Sequence, residues 1–480
     1  MVDIMLDLLN KLFNKTASLQ HAATKGILSR EDIIEMLKTS PEKLDAFESY
    51  YKTQVLPNLP MDDNLFTQNA KQVAEETANP QLSNEYVDSL IHRIVDELLA
   101  LTTTFVYDGT SVCNNKCLAS YNQELVTNDD IKMLPKELRP QLTGSLMTTD
   151  LDANDTSATL LWFAKEMQNT NDPVRYKTLY NHFRQGLDIL DLDGIAYEML
   201  GMNPNAMSHW LPELIRANDA HGFFKIPKTV IAKVPLTLLQ LTRTDYMNLT
   251  ATTKAIINQW AMSAFGLELD KDYFIKTGTY SSKFDFRNCH VYSEKEVAEL
   301  GEYLTFIQFQ ASQMASPLSQ PTIYGVSTTN EWVVREFIPD KENNPMIYKG
   351  LPLHTEYRLF IDADTNQILG CSPYWDPEVM KKRFDEHRDG HDEHDAITYA
   401  IHEDTLMRRF DTNKDMIVNR VKELLPDLQL HGQWSLDIMQ NEDDFWLIDM
   451  ALAENSAGYD KYVQPADRKP SPENWIPCIE

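Results

Sequence analysis

Asp437 and Asp449 stand twelve residues apart, each late in a hydrophobic, strand-like segment, WSLDIMQ and FWLIDMA. Between them Gln440-Asn441-Glu442-Asp443-Asp444 forms a polar turn, and the alternation on either side predicts a β-hairpin. Such a hairpin sets two carboxylates side by side. Hard oxygen ligands so placed suit Mg²⁺, which takes few protein ligands and leaves its other positions to water and phosphate oxygens. Taken alone, the segment also fits two solvent-facing aspartates at strand ends.

The segments upstream carry complementary charge. KTVIAKVP reads as a short strand holding Lys233, and Thr250 to Phe265 as an amphipathic helix stopped by Gly266. DYFIKTG is a strand holding Lys276. It opens into the small-residue loop Thr277-Gly278-Thr279-Tyr280-Ser281-Ser282, closed by Lys283. A flexible loop with backbone N–H groups and hydroxyls, bracketed by lysines, can cover phosphates; an ordinary hairpin turn has the same composition. EWVVREFIP (331–339) is an apolar strand with Arg335 and Glu336 in its middle, followed by Phe337 and Ile338. In TEYRLFID, alternation places Glu356 and Arg358 on one face and Tyr357 and Leu359 on the other; ILGCSPYW returns as a hairpin partner. A strand arginine beside a glutamate is usually a surface ion pair, but in a cleft it can clamp a transferring phosphoryl group.

In this order (lysine strand, helix, lysine strand with small-residue loop, hinge strand, arginine strand, carboxylate hairpin) the segments over residues 225–460 resemble the ATP-grasp superfamily. Within it they are most similar to the clade marked by one arginine and two lysines. That clade includes the eukaryotic cell-division-cycle assembly factors for translation initiation factor two and their bacterial and phage relatives. The motifs are KTGTYSSKFDF, VVREFIP with TEYRLFI, and WSLDI with FWLID. The resemblance implies an α+β fold, with two subdomains clasping ATP and Mg²⁺ as cofactors. It implies Lys233 and Lys276 on the phosphates, with Ser281, Ser282 and Lys283 covering them, and Arg358 on the γ-phosphate. Glu336, with the backbone near Phe337 and Ile338, would meet the adenine edge, Arg335 and Glu356 would be nucleotide-facing, and Asp437 and Asp449 would hold Mg²⁺. Arg358 and Lys276 would be the catalytic pair. The family usually has an asparagine two residues after the last carboxylate. Here Ala451 stands there, so Glu454 or Asn455 could supply a further ligand only through a bulge or turn.

The rest of the chain sets the frame. It has 480 residues and a formal net charge of -28, which argues against a broad surface for nucleic-acid backbones. The N-terminus MVDIMLDLLNKLFN carries Asp3 and Asp7 within its apolar pattern and reads as an amphipathic helix rather than a signal peptide. With no membrane-length apolar run and five scattered cysteines, the expectation is a cytoplasmic protein. Residues 1–224 read as a mainly helical domain, including a helix from Ser83 to about Leu101 and an irregular polar stretch from about 106 to 155. Residues 225–462 read as the nucleotide domain and 463–480 as an extended, proline-rich arm. His387, His391 and His394 lie in DEHRDGHDEHD, which reads as a solvated acidic linker or, if helical, a metal site. The strings beginning at Asp150 and Asp411 lack the glycine and glutamate of a calcium loop and read as Asx turns.

Three functions are consistent with this reading. The first is an ATP-dependent ligase joining a carboxylate to an amine through an acyl phosphate. The second is an ATP-binding assembly chaperone, with a protein partner met through the helical N-terminal domain. The third is nucleic-acid end repair, which the acidic charge disfavours. The substrate (small molecule, peptide or protein) is left open.

Overall fold

A computed structural model describes residues 84–117, 203–235, 238–239, 249–314, 329–386 and 393–469. The helices expected before residue 83 and over 158–200, His387, His391, the string at Asp150 and the end of the C-terminal arm lie outside these residues.

Helix α1 (Asn84–Leu101) buries Leu90, Ile91, Ile94, Val95 and Leu98, the stripe its three- and four-residue spacing predicts. Next come β1 (Thr103–Tyr107), β2 (Val112–Asn115), α2 (Met207–Asp219) and β3 (Thr229–Lys233). Helix α3 (Ala251–Phe265) is capped by the Thr250 hydroxyl, which accepts from the Thr253 N–H, and ends at Gly266 in a left-handed conformation. Strands β4 (Tyr273–Thr277) and β5 (His290–Val291), helices α4 (Glu294–Ala298) and α5 (Leu300–Met314), and β6 (Glu331–Glu336) follow.

These strands form a six-stranded antiparallel sheet in the order β2-β1-β3-β6-β4-β5. Alternation decides what each face meets. Ala232, Trp332 and Val334 pack with α1, α3 and α5 in one core. Ile231 and Val333 pack with α2 in a second core. The stretch expected to be irregular from 106 thus opens with a strand pair. Its aromatic, β-branched run TTFVY is a strand because β3 offers it a partner over five register positions. The division expected at 225 is likewise not a division of this sheet, since β1 precedes that point and β3 follows it. Within 84–117 and 203–224, helix and strand share the cores of what comes after.

The second sheet is four-stranded and antiparallel in the order β10-β9-β11-β12, from β9 (Glu356–Asp362), β10 (Gln367–Pro373), β11 (Gln433–Asn441) and β12 (Asp444–Leu452). A small pair, β7 (Met346–Ile347) and β8 (Leu351–Pro352), precedes it. Tyr357, Leu359, Ile361, Leu436, Ile438 and Leu447 join the second core with residues of α7 (Glu393–Leu424), which follows α6 (Pro377–Glu386). The string at Asp411, expected to be a turn, lies inside the 32-residue α7. Phe410, Ile417 and Val421 bury there, and Asn413 donates to the Arg409 carbonyl one turn back, so packing overrides the local turn preference. Past 462, Gln433 donates to the Asp467 carbonyl and Lys469 pairs with Asp362 at 2.6 Å, tying the start of the arm to β11 and β9. No helix among the described residues is long and apolar enough to cross a membrane.

Candidate functional site

The hairpin forms as its pattern predicts. Asp437 and Asp449 are direct register partners, and the turn is the two residues Glu442-Asp443, with Glu442 at φ 58°. Immediately after this pair the register shifts: Ile438 faces Leu447, leaving Ile448 as the extra residue of a β-bulge. Asp437 is also the register partner of Arg358 on β9, and Met439 that of Glu356, so these four side chains share one face. Arg358 grips Asp437 with two bonds, Nε to Oδ1 and Nη2 to Oδ2, each 2.7 Å. Burial works against the Arg358 charge, but the Asp437 carboxylate outweighs it and raises the pKa above its ordinary value.

Register also assembles the opposite wall. Phe274 on β4 faces Arg335 on β6, and Lys276 faces Val333, so Phe274, Lys276 and Arg335 lie on one face of the six-stranded sheet. Arg335 is buried. Its Nε donates to the Thr229 hydroxyl at 3.1 Å and its Nη1 to the bulged Ile448 carbonyl, while Nη2 has no partner. Burial lowers its pKa to about 10, with Asp449 opposing. Lys276 is 4% exposed at its side chain and reaches Asp449 Oδ1 and Oδ2 at 3.1 and 3.2 Å, bridging the two walls. Burial lowers its pKa too, and Asp449 offsets part of that.

Between the walls lies a cleft of about 130 Å³. Its inner part is an apolar slot of Pro227, Phe274, Phe286, Phe337, Ile338, Leu351, Met439 and Ile448, with Glu336 at the rim. Phe337 is held flat by His290, whose ring stacks on it with centroids 3.8 Å apart. Toward the polar end the lining becomes Lys276, Ser281, Lys283, Arg335, Glu356, Asp437 and Asp449. Glu356 is buried there, and burial pushes its pKa up to about 7, with Lys283 pulling the other way. A second cavity of about 540 Å³ adjoins at Ser281, Lys283, Asp437 and Asp449, and extends past Arg358, Ser435, Ala451 and Asn455.

Most residues singled out in the sequence meet in this place: Lys276, Ser281, Lys283, Arg335, Glu336, Phe337, Ile338, Glu356, Asp437 and Asp449 in the cleft, and Ser282, Arg358 and Asn455 in the adjoining cavity. Two do not. Lys233 is buried at the far end of β3 opposite Glu331, and lines neither cavity. Glu454 is exposed and also lines neither. Asn455 lies beside the cavity with its Oδ1 accepting from Asn205 at 3.0 Å. The first half of the loop after β4 is a closed turn. The N–H groups of Thr277 and Tyr280 bond within the turn, and that of Gly278 donates to the Glu331 carbonyl. A Cβ on Gly278 would stand 2.5 Å from the Glu331 carboxylate, so the turn is packed tightly against β6.

Other residues of the site left little trace in the sequence. Asn205 accepts from the Leu452 N–H at 2.7 Å, and the Met207 N–H donates to Gly278, so the segment before α2 pins both β12 and the β4 loop. Tyr374, one residue past β10, lies under Lys283 and Arg358, whose charges sit 4.3 and 4.5 Å from its ring. His354 lines the cleft, and with Asp340 and Glu342 it brings three acceptor atoms within 4.8 Å. The Asn344 amide nitrogen lies 3.0, 3.2 and 3.4 Å from those atoms, and Arg409 pairs with Glu342 at 3.2 Å, so the cluster is a satisfied hydrogen-bond network. Cys113 is exposed and Cys117 buried, neither is in a disulfide, and the Cys117 thiol bonds to the Thr103 carbonyl.

No family model matches this sequence, and no curated protein matches it. Among solved structures, the chain is similar to C-terminally truncated Cdc123 from Schizosaccharomyces pombe, with 15% identity, 55% of this chain and 93% of that chain covered, and a TM-score of 0.32. It is also similar to Cdc123 from the same organism, with 15% identity, 52% and 83% covered, and a TM-score of 0.30.

Proposed function

We propose that the cleft binds ATP with Mg²⁺, and that the protein is an ATP-dependent ligase. One observation carries the nucleotide reading: a buried guanidinium with an unpartnered nitrogen, beside a buried lysine, at the mouth of an aromatic slot. An unmet buried cationic donor is costly unless an anion meets it. The slot accepts a flat, apolar-faced base between Phe274, Phe337, Ile338 and Ile448. The edge of that base would meet the backbone near Glu336 and Ile338, and the phosphates would then lie along Arg335, Lys276 and Lys283 toward Asp437 and Asp449.

The donor chemistry fits the metal. Asp437 and Asp449 are adjacent carboxylates at the phosphate end of the cleft. When bound, Mg²⁺ would neutralise charge developing on the phosphate oxygens. The chain's own residues bind and orient: Lys276 and Arg335 hold the phosphate chain, Lys283 covers it, and Arg358 meets the terminal phosphoryl group from the adjoining cavity. In the ligase reading a carboxylate oxygen bonds to the terminal phosphorus as the bridging P–O bond breaks and ADP leaves. An amine then displaces phosphate from the acyl carbon and loses a proton, giving an amide.

A second reading, an ATP-binding assembly factor without turnover, is favoured by Ala451. It lines the adjoining cavity where a further metal ligand would be expected, Glu454 lies outside that cavity, and the Asn455 Oδ1 there already accepts from Asn205. Thermal melting with and without Mg-ATP tests the shared part, because a ligand of the folded state raises Tm by mass action. The expected result is a Mg-dependent rise that Asp449→Asn largely removes; no rise at millimolar Mg-ATP would sink both readings. ADP released on adding a panel of carboxylate and amine pairs separates the ligase from the assembly factor.

A further inference from the structure

The wall of the adjoining cavity differs in charge from the rest of the molecule. The whole chain carries 72 acidic and 44 basic residues. Among the described residues, four cations, Lys283, Arg358, Lys382 and Arg383, line this cavity, together with two acids, Asp437 and Asp449, at its junction with the cleft. Two of the cations come from α6, which also turns Val379 and Met380 to the same wall. Arg383 is set in place: its guanidinium carbon sits 3.9 Å from the Phe284 ring centroid and its Nη1 donates to the Tyr348 hydroxyl at 3.4 Å. Lys382 is exposed at the rim. Lys283 and Arg358 share the Tyr374 ring, so the cationic run continues from α6 to the edge of the nucleotide cleft.

We propose that this cavity binds an acidic peptide segment, with Lys382 and Arg383 as its recognition residues, and that the segment leads a carboxylate to the Asp437–Asp449 edge of the cleft. Anionic side chains are selected because, beyond the Arg358 matched to Asp437, three further cations line this cavity among the described residues, and a cleft lined by one sign of charge focuses its field. An extended peptide fits better than a single small acid because the cations are spread from α6 to β9, and the exposed Val379 offers apolar contact between them. This deepens the nucleotide reading by naming what lies beside the phosphates, yet peptide binding can be read without nucleotide.

The test uses the full chain and fluorescein-labelled octaglutamate, with octaglutamine as the uncharged control, followed by fluorescence anisotropy. Octaglutamate is expected to bind about tenfold or more tighter than octaglutamine, and to weaken as salt is raised. The double variant Lys382→Gln/Arg383→Gln is expected to lose about tenfold for octaglutamate. Because Arg383 packs on Phe284, Lys382→Glu alone is a second variant at an exposed position and should weaken binding several-fold. A fluorescent ATP analogue, titrated into the same preparations, should bind within about twofold of wild type, so loss of nucleotide binding and loss of peptide binding are told apart. Equal binding of the two peptides, or unchanged octaglutamate affinity in both variants, would overturn the proposal. So would free glutamate competing as well as octaglutamate at equal carboxylate concentration.

Discussion

The two walls of the cleft hold their charges in opposite ways. On the four-stranded sheet, Arg358 and Asp437 are matched across neighbouring strands by two short bonds, and the pair raises the pKa of Arg358. On the six-stranded sheet, Arg335 is more deeply buried than Arg358, but it has only a hydroxyl and a carbonyl as acceptors, and burial lowers its pKa. One wall is electrostatically complete and the other is short of an anion. The difference teaches where each charge acts. A matched pair organises a site, because breaking it leaves a buried charge alone. An unmatched cation marks a ligand position, because its desolvation is offset only when an anion arrives. Lys276 connects the two regimes through its contact with Asp449.

Three substitutions separate these roles, taken from the largest expected effect to the smallest. Asp437→Asn strands Arg358 and should lower unfolding free energy by about 3 kcal/mol or more, read by urea denaturation. A loss below about 1 kcal/mol would mean the pair is no better than a surface salt bridge. Glu356 sits beside the matched pair without a full match of its own, and it should show in the pH dependence. Its folded pKa, about 7, lies above the 4.5 of an ordinary glutamate, so the folded state holds the proton longer. Stability from this group is therefore full below about 4.5 and declines as pH rises through about 7, by roughly 2–3 kcal/mol. Glu356→Gln should flatten that decline between pH 5 and 7.5, and an unchanged slope would show that the carboxyl is ionised throughout. On the unmatched wall, Arg335→Met should leave stability within about 1 kcal/mol of wild type, or raise it, while weakening ATP-analogue binding by about 2 kcal/mol. If instead stability collapses and affinity holds, the guanidinium is structural and the comparison fails.

The sequence showed those features whose cause is local. The hairpin was legible because two alternating strands flank a polar turn, although regular pairing from that turn would set Asp437 opposite Ile448, and it is the bulge at Ile448 that brings Asp449 there. Helix α3 was legible from a threonine cap and a glycine stop, and the shared face of Glu356 and Arg358 from the two-residue period of a strand. What misled was also local. Asp411-Asn413-Asp415 has turn chemistry but is carried into α7 by buried neighbours one turn away on either side. The loop after Lys276 looks open throughout, yet the N–H groups of Thr277, Gly278 and Tyr280 in its first half are held by the turn and by β6.

Sequence alone determined which residue types are present, their strand parity and which two strands form the hairpin, because these follow from backbone geometry over a few residues. Only the tertiary structure decided that Arg335 faces Phe274 and Lys276 faces Val333 across strands some 60 residues apart. It also placed Lys233 at the far end of β3 away from the cleft, and brought Asn205 and α6 to the site. Register between distant strands is set by burial of whole faces, and no local pattern encodes it.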